Sequence, residues 1–434
     1  MRSIPTLRLL LRPLALIFVV ALALAGCDDA PVSSPETDAP TEAEENLVNE
    51  ALKNLPFEEG SEAKFFHHCT VTTDAPQAAV DAASSGDVIC VKPGTYSGTL
   101  EITTPDITVT SLWLGGATIQ GGDAPTGSAV RILADGVTLE GFQVMFPGGL
   151  IGISIGPNVS DVTVRHNRVR DVGPTGRLGV TGIIADGGNT GITIEGNLVE
   201  DLRNEFTSDS GFPTVNGIFA NDDRADGFSN SVIRKNVVRN LYSDNATLGI
   251  LLQGTVANVQ VEKNLVYRLS ADPDNDSDPS DDNATYDENL DDGFDGTLAT
   301  FAQGVNVDAS TTSDLNVTRN FIYRVTSTGF NGEAVKVDAG AEGLTLTFND
   351  LRSEVGLNNG TSTSFDATCN YWGHPLGPRT VASNPAADDG PNRQRRSALV
   401  GDAEVQPWLV RSILWGRNLE RSCVGGRGNR GGNR

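Results

Sequence analysis

Six stretches of this chain repeat one pattern: VTVRHNRVRDV, ITIEGNLVEDL, SVIRKNVVRNL, VQVEKNLVYRL, LNVTRNFIYRV and LTLTFNDLRSEV. Each carries alternating branched residues, a single Asn and a second short alternating run. The asparagines are Asn167, Asn197, Asn236, Asn264, Asn320 and Asn349, separated by 30, 39, 28, 56 and 29 residues by difference of their numbers. Alternation at period two marks strands. Two strands meeting at one Asn predict a sharp bend in which the Asn takes a left-handed conformation, since it tolerates one better than other non-glycine residues. A third short strand lies upstream of each stretch: GISIG, GIIAD, GIFAN, GILLQ, GVNVD and AVKVD. Three strands per turn at roughly thirty residues per repeat describe an all-β solenoid, a parallel β-helix whose coils stack their asparagines one above another. The 434 residues would otherwise suggest two or three globular domains, but that expectation does not hold for repeats.

Both ends of the array carry further motifs. The segment APQAAVDAASSGDVICVKPGTYSGTLEI precedes the repeats, and Asp366-Ala367-Thr368-Cys369-Asn370-Tyr371-Trp372-Gly373, then Gly377-Pro378 and Gln406-Pro407-Trp408-Leu409, follow them. With these motifs the chain resembles the right-handed parallel β-helix (pectin-lyase-like) superfamily from about Phe65 to Leu409. The resemblance implies a right-handed coil with an N-terminal helical cap over residues 76–84. It also implies a ligand face on the first strand of each coil, where the polysaccharide lyases and glycosidases of this fold commonly hold substrate. A β-sandwich with coincidental alternation is the competing fold, and it gives no reason for phased asparagines. A solenoid exposes strand edges and core side chains at its terminal coils. The helix at one end and Tyr371, Trp372 and Trp408 at the other are expected to cover them.

The first residues are an address. Arg2, Arg8 and Arg12 precede the apolar run Leu14 to Leu24, short for a bilayer span but suited to a signal-peptide core. Leu24-Ala25-Gly26-Cys27 resembles a bacterial lipobox, with Cys27 the residue to be lipidated; a plain secretory signal or an N-terminal anchor are the other readings. Residues 1–27 are thus read as the signal and 28–62 as an acidic tether. Residues 63–415 form the β-helix domain, and 416–434 a Gly/Arg-rich tail. The expected location is exported and membrane-anchored, periplasmic or on the cell surface. Cys69, Cys90, Cys369 and Cys423 remain, an even number that reads as disulfides in an oxidising compartment. Of three connectivities, Cys69 with Cys90 and Cys369 with Cys423 is expected, because each pair flanks one end of the array.

Lys plus Arg number 32 against 56 Asp plus Glu, a formal charge of -24. Phosphates would be repelled over most of the surface, so nucleic acid is excluded as a partner. The acid residues concentrate in an insertion at 271–296, where Asp272, Asp274, Asp276 and Asp278 alternate. They could wrap oxygen ligands around calcium, the one cofactor the sequence suggests. The EF-hand glycine and terminal Glu are missing, and a solvated acidic insertion is the competing reading.

Alternation also fixes which first-strand residues face away from the core. One outward column carries Ser154, Ile184, Phe219, Leu251, Asn306 and Lys336; another carries Asp186, Asn221, Gln253, Asp308 and Asp338. Asp186, Asn221, Gln253 and Asn306 are expected to line a ligand groove, with the three apolar residues either covered or sugar-contacting. Lys336 with Asp308 and Asp338 is the candidate catalytic group. In a polysaccharide lyase Lys336 would be the base and the aspartates would hold calcium; in a glycosidase the two aspartates would be the acid pair. No catalytic motif of the pectate lyases or polygalacturonases is present. A monomeric, lipid-anchored module that binds a polysaccharide, a cell-surface glycan or a partner protein without turnover is therefore the competing function. A further column, Arg170, Glu200, Arg239, Tyr267, Tyr323 and Arg352, reads as a β face with cross-strand pairs or as a sugar-stacking strip.

Overall fold

The computed structural model describes residues 68–122, 127–175, 179–205, 213–220, 227–271, 300–327, 332–338, 340–341, 343–380, 397–409, 412–413 and 423. Cys27, the tether, Asn221, the aspartates at 272, 274, 276 and 278, and the tail apart from Cys423 lie outside them. The described residues form a right-handed parallel β-helix, in which every strand pairing is parallel. Each full coil contributes three strands. One coil runs Val180–Ala185, Thr193–Glu195 and Leu198–Asn204, and each of these pairs with its counterpart in the next coil. Among the described residues the third strands form a nine-stranded sheet, while the first and second strands belong to one nineteen-stranded sheet. They belong together because two coils run the first and second strands as one, Ala246–Glu262 and Phe301–Thr318.

The asparagines form one column, as the repeat predicts. Asn167 Oδ1 accepts from the Phe142 N–H, and each later Oδ1 accepts from the backbone N–H of the Asn one coil before: Asn197 from Asn167 at 2.9 Å, Asn236 from Asn197 at 2.9 Å, and Asn264 from Asn236 at 3.0 Å. Asn320 and Asn349 continue it. Asn370, which the repeat alignment leaves out, is the seventh rung. From Asn167 to Asn349 each Nδ2 donates to the next Oδ1 and back to a carbonyl, as Asn236 does to Asn264 and to Ile194; Asn370 donates to the Leu346 and Ala367 carbonyls. One expectation is corrected: none of these asparagines is left-handed. The positive φ belongs to the residue before it, His166, Gly196, Lys235, Lys263, Arg319, Phe348 and Cys369. The Asn side chain must point inward to meet its neighbours, so the bend is made one position earlier, where the side chain can leave the stack.

The core is filled by the inward branched residues, with Val199, Val238, Val266, Ile322 and Leu351 of the third strands fully buried. Opposite them stands a column of Gly152, Gly182, Gly217, Gly249 and Gly304. A Cβ on Gly182 would lie 2.5 Å from Val199 Cγ1 and 2.7 Å from the Gly217 carbonyl oxygen. The recurrent glycine of the first strand is therefore a matter of space.

Both ends are covered. The helix Pro76–Asp81 is shorter than the expected 76–84, and it packs Pro76 and Val80 inward. Gln77 imitates a strand at the open edge: its Nε2 donates to the Glu101 carbonyl at 3.0 Å, and the Glu101 N–H donates to its Oε1 at 2.8 Å. At the far end Trp372 is fully buried and Trp408 packs against the core. Cys69 is bonded to Cys90, and Cys369 to Cys423, bridges of a chain that matures outside the cytoplasm. Among the described residues no helix is long and apolar enough to cross a membrane.

Replacing Asn236 by Leu should be severe. It strips the acceptor from Asn197 and orphans the Ile194 carbonyl inside the core, at about 1–3 kcal/mol for each buried group left unpaired. Exposed Gln260→Ala should change stability by less than about 0.5 kcal/mol. Urea unfolding of both variants checks this.

Candidate functional site

The pairing register confirms the first outward column: Ser154, Ile184, Phe219, Leu251, Asn306 and Lys336 stand at one level of six successive coils, and Asn358 continues it. Gln253 faces Asp308 in the second column, and the Asp338 N–H continues the ladder from Val307. A third column, three residues before the first, was not expected: Thr181, Asn216, Leu248, Gln303 and Glu333.

Along this face the chemistry changes. Ile184 and Leu251 are each 8% exposed. Leu251 packs with Ala246 and Leu248, and Phe219 and Phe301 lie against them, in a cluster separate from the main core. The middle of the face is thus an apolar pad that is packed, not bare. The following coils are polar. Asn306 Nδ2 donates to Gln303 Oε1 at 2.6 Å, Gln303 Nε2 donates to Glu333 Oε2 at 2.8 Å, and Asn358 Nδ2 donates to Glu333 Oε1 from the far side. Gln253 Nε2 donates to Asp308 Oδ2 at 3.0 Å, and Lys336 Nζ lies 3.5 Å from Asp338 Oδ1. Asn306 is 7% exposed and its Oδ1, itself buried, accepts nothing.

Burial pushes the Glu333 carboxyl above its usual range. The Asn358 amide, the Lys336 charge and the Gln303 amide pull it back, and Asp338 adds to the rise. Burial also raises Asp338, against the pull of Lys336 and with the help of Asp308. The result is a cluster of three carboxylates around one ammonium.

Lys336 and Asp338 are thus in contact, Asp308 meets Gln253, and Asn306 stands beside Lys336 in register. Asp186 stands on the same column two coils before Gln253 and is not part of the cluster. Sequence reasoning missed Glu333, Gln303 and Asn358. The first two precede the small residue that opens the strand motif, in Gln303-Gly304 and Glu333-Ala334, and that position was assigned to no face. Lys336 sits against Asp338, where the lyase reading would put calcium, and among the described residues no group of three or more His, Cys, Asp or Glu could hold a metal ion.

The outer face of the nine-stranded sheet carries the other column, Arg170, Glu200, Arg239, Tyr267, Tyr323 and Arg352, in continuous register. It is a set of cross-strand pairs. Fully buried Glu200 is held by Arg168 and Arg239. Arg239 Nη1 donates to the Tyr267 hydroxyl at 2.9 Å, and Tyr267 stacks on Tyr323 with ring centroids 5.0 Å apart. Both tyrosines are buried with Leu198, Val237, Leu265 and Phe321, so this is a packed surface and not an open strip.

No protein-family profile matches the chain, and no curated protein does. Among solved structures it is similar to the pectate lyase Pel9A, at 14% identity and a TM-score of 0.43, over 76% of this chain and 73% of that one. It is similar to the enzymatically active domain of tailspike protein 2 of bacteriophage CBA120, at 10% identity and 0.45, over 79% of this chain and 47% of that one. It is also similar to the A-module of the mannuronan C-5 epimerase AlgE4 of Azotobacter vinelandii, at 15% identity and 0.38, over 81% and 96%.

The folded chain holds the Glu333 proton more tightly than the unfolded chain does. Stability should therefore fall as pH rises from the unfolded glutamate pKa through the raised folded one. Asp338 adds a slope of the same sign, so Glu333→Gln should flatten the profile in part. Denaturation midpoints taken from about pH 4 to about pH 8 check this, and an unaltered slope in the variant would contradict it.

Proposed function

We propose that this chain is an exported, lipid-anchored protein that binds carbohydrate along its first-strand face without turning it over. The observation that carries this reading is the Asn306 carbonyl oxygen, a buried acceptor without a donor on the coil next to Lys336, whose amide nitrogen is tied through Gln303 to Glu333. A buried polar group left unpaired is costly unless something supplies its partner, and the hydroxyls of a sugar are donors of the right size. Of the neighbouring apolar pad, Phe219 is the member left partly exposed, and it offers an aromatic edge to the C–H faces of sugar rings. Coils repeat at about 4.8 Å, so a chain of sugar units can meet similar groups several times along the stack.

Binding is favoured over turnover because the titrating groups are engaged. Glu333 accepts from two amides and Lys336 is paired with Asp338. A hydrolase or lyase is the second reading, favoured by the upward shift of Glu333 and Asp338, which would keep an acid protonated beside the same face. Lipid on Cys27 would hold the domain at a membrane, and calcium at the 272–278 aspartates would stiffen the insertion.

Purified protein titrated with a panel of oligosaccharides, with calcium and with chelator, while product is followed, separates these. The expected result is saturable binding with no new reducing or unsaturated ends. Asn306→Leu should weaken it about tenfold, the loss of about 1.4 kcal/mol, with the unfolding temperature measured alongside. Product formation selects the enzyme, and silence across the panel removes the glycan reading altogether. Fatty-acid labelling lost in Cys27→Ser tests the anchor.

A further inference from the structure

Resting on the glycan reading above, we infer that the preferred ligand is a cationic glycan, one whose sugar units carry free, protonated amino groups. The groups facing the site are dominated by acceptors. The Asn306 Oδ1 is empty, while the amide donors of Asn306, Gln303 and Asn358 are turned onto one another and onto Glu333. The charges that bear on Glu333 and Asp338 are those of Lys336, Asp308 and each other. Among the described residues that is three carboxyls against one ammonium, itself paired with Asp338; burial raises Glu333 and Asp338, so the full negative charge develops as pH rises past their raised pKa values. Asp308 is exposed and Asp338 partly so, while Asn306, two residues before Asp308 on the same strand, is buried.

A uronate would bring a fourth carboxylate to this cluster and meet repulsion that one neutralised lysine cannot offset. A neutral hydroxyl could fill the acceptor but would leave the excess charge untouched. An ammonium group meets both needs, because it brings three donors and a positive charge in one compact head. Removing the charge by N-acetylation should therefore abolish the preference while leaving the ring and its hydroxyls in place.

The test is calorimetric titration of the full chain at about pH 6, below the usual range of amines and above the usual range of carboxylates. The three ligands are the glucosamine tetramer, its fully N-acetylated counterpart and a galacturonate tetramer. The glucosamine tetramer should bind at least tenfold more tightly than the other two. The double variant Asp308→Asn/Asp338→Asn, which keeps hydrogen-bonding oxygens at both positions, should lose that preference. Tighter binding of the acetylated or uronate ligand overturns this inference and leaves the glycan reading standing. Binding of none of the three defeats both. The same tenfold preference in the double variant would assign the attraction to the overall negative charge of the chain and also overturn the inference.

Discussion

The Asn-to-Asn hydrogen bond between successive coils is the constraint on which the remaining geometry rests. A parallel strand can slide along its neighbour, and a slip of one residue turns every side chain to the opposite face. The ladder resists that slip because its amides are buried and answer both to one another and to main-chain groups. A displaced coil would leave several buried donors and acceptors unpaired at once. The column of glycines acts in the same sense by steric means, since the place opposite Val199 and beside the Gly217 carbonyl has no room for a Cβ. Loops between the strands can differ in length, as the 28- and 56-residue separations on either side of Asn264 demonstrate. The rungs keep their register regardless.

Because register is held from within, the outer faces are free to carry chemistry. Residues as distant in sequence as Gln253 and Asp308, which are 55 apart, become hydrogen-bonded neighbours. The same freedom explains how one face can pass from an apolar pad around Leu251 to the amide and carboxylate group around Glu333 within two coils. Neither half affects the core behind it, where Ile250, Val305 and Val335 stay fully buried.

Much of this was legible in the sequence because a strand has one periodicity and the asparagines give its phase. The column from Ser154 to Lys336 and both disulfides follow from those two facts and from the position of the cysteines at the ends. What could not be read depends on contacts between coils. Nothing local marks His166 or Lys235 as the left-handed residue in place of the Asn beside it, because the choice is made by an amide one coil away. Glu333 looks like any strand-opening carboxylate until Gln303 and Asn358 close on it from either side. Tyr267 and Tyr323 alternate as surface residues should, yet they are buried, and burial on an outer face depends on what lies over it and not on the strand's own pattern.

The balance of charges elsewhere on the solenoid gives the site its meaning. Along the second-strand face Glu140, Arg165, Glu195, Arg234 and Glu262 succeed one another in register, alternating in sign at every coil. Arg165 holds Glu140 and Arg234 holds Glu195. On the third-strand face Glu200 lies between two arginines, and near the amino end Arg131 pairs with Glu101. Stacked like charges destabilise a sheet, and opposite ones are the ordinary remedy. Around Glu333 pairing is thinner: among the described residues Lys336 is the cation that bears on Glu333 and Asp338, and burial raises both carboxyls, so that each holds its proton to higher pH. Where pairing supplies no second cation the carboxyls are eased by holding protons instead, and it is on this part of the first-strand face, with the buried Asn306 acceptor, that the proposed binding rests.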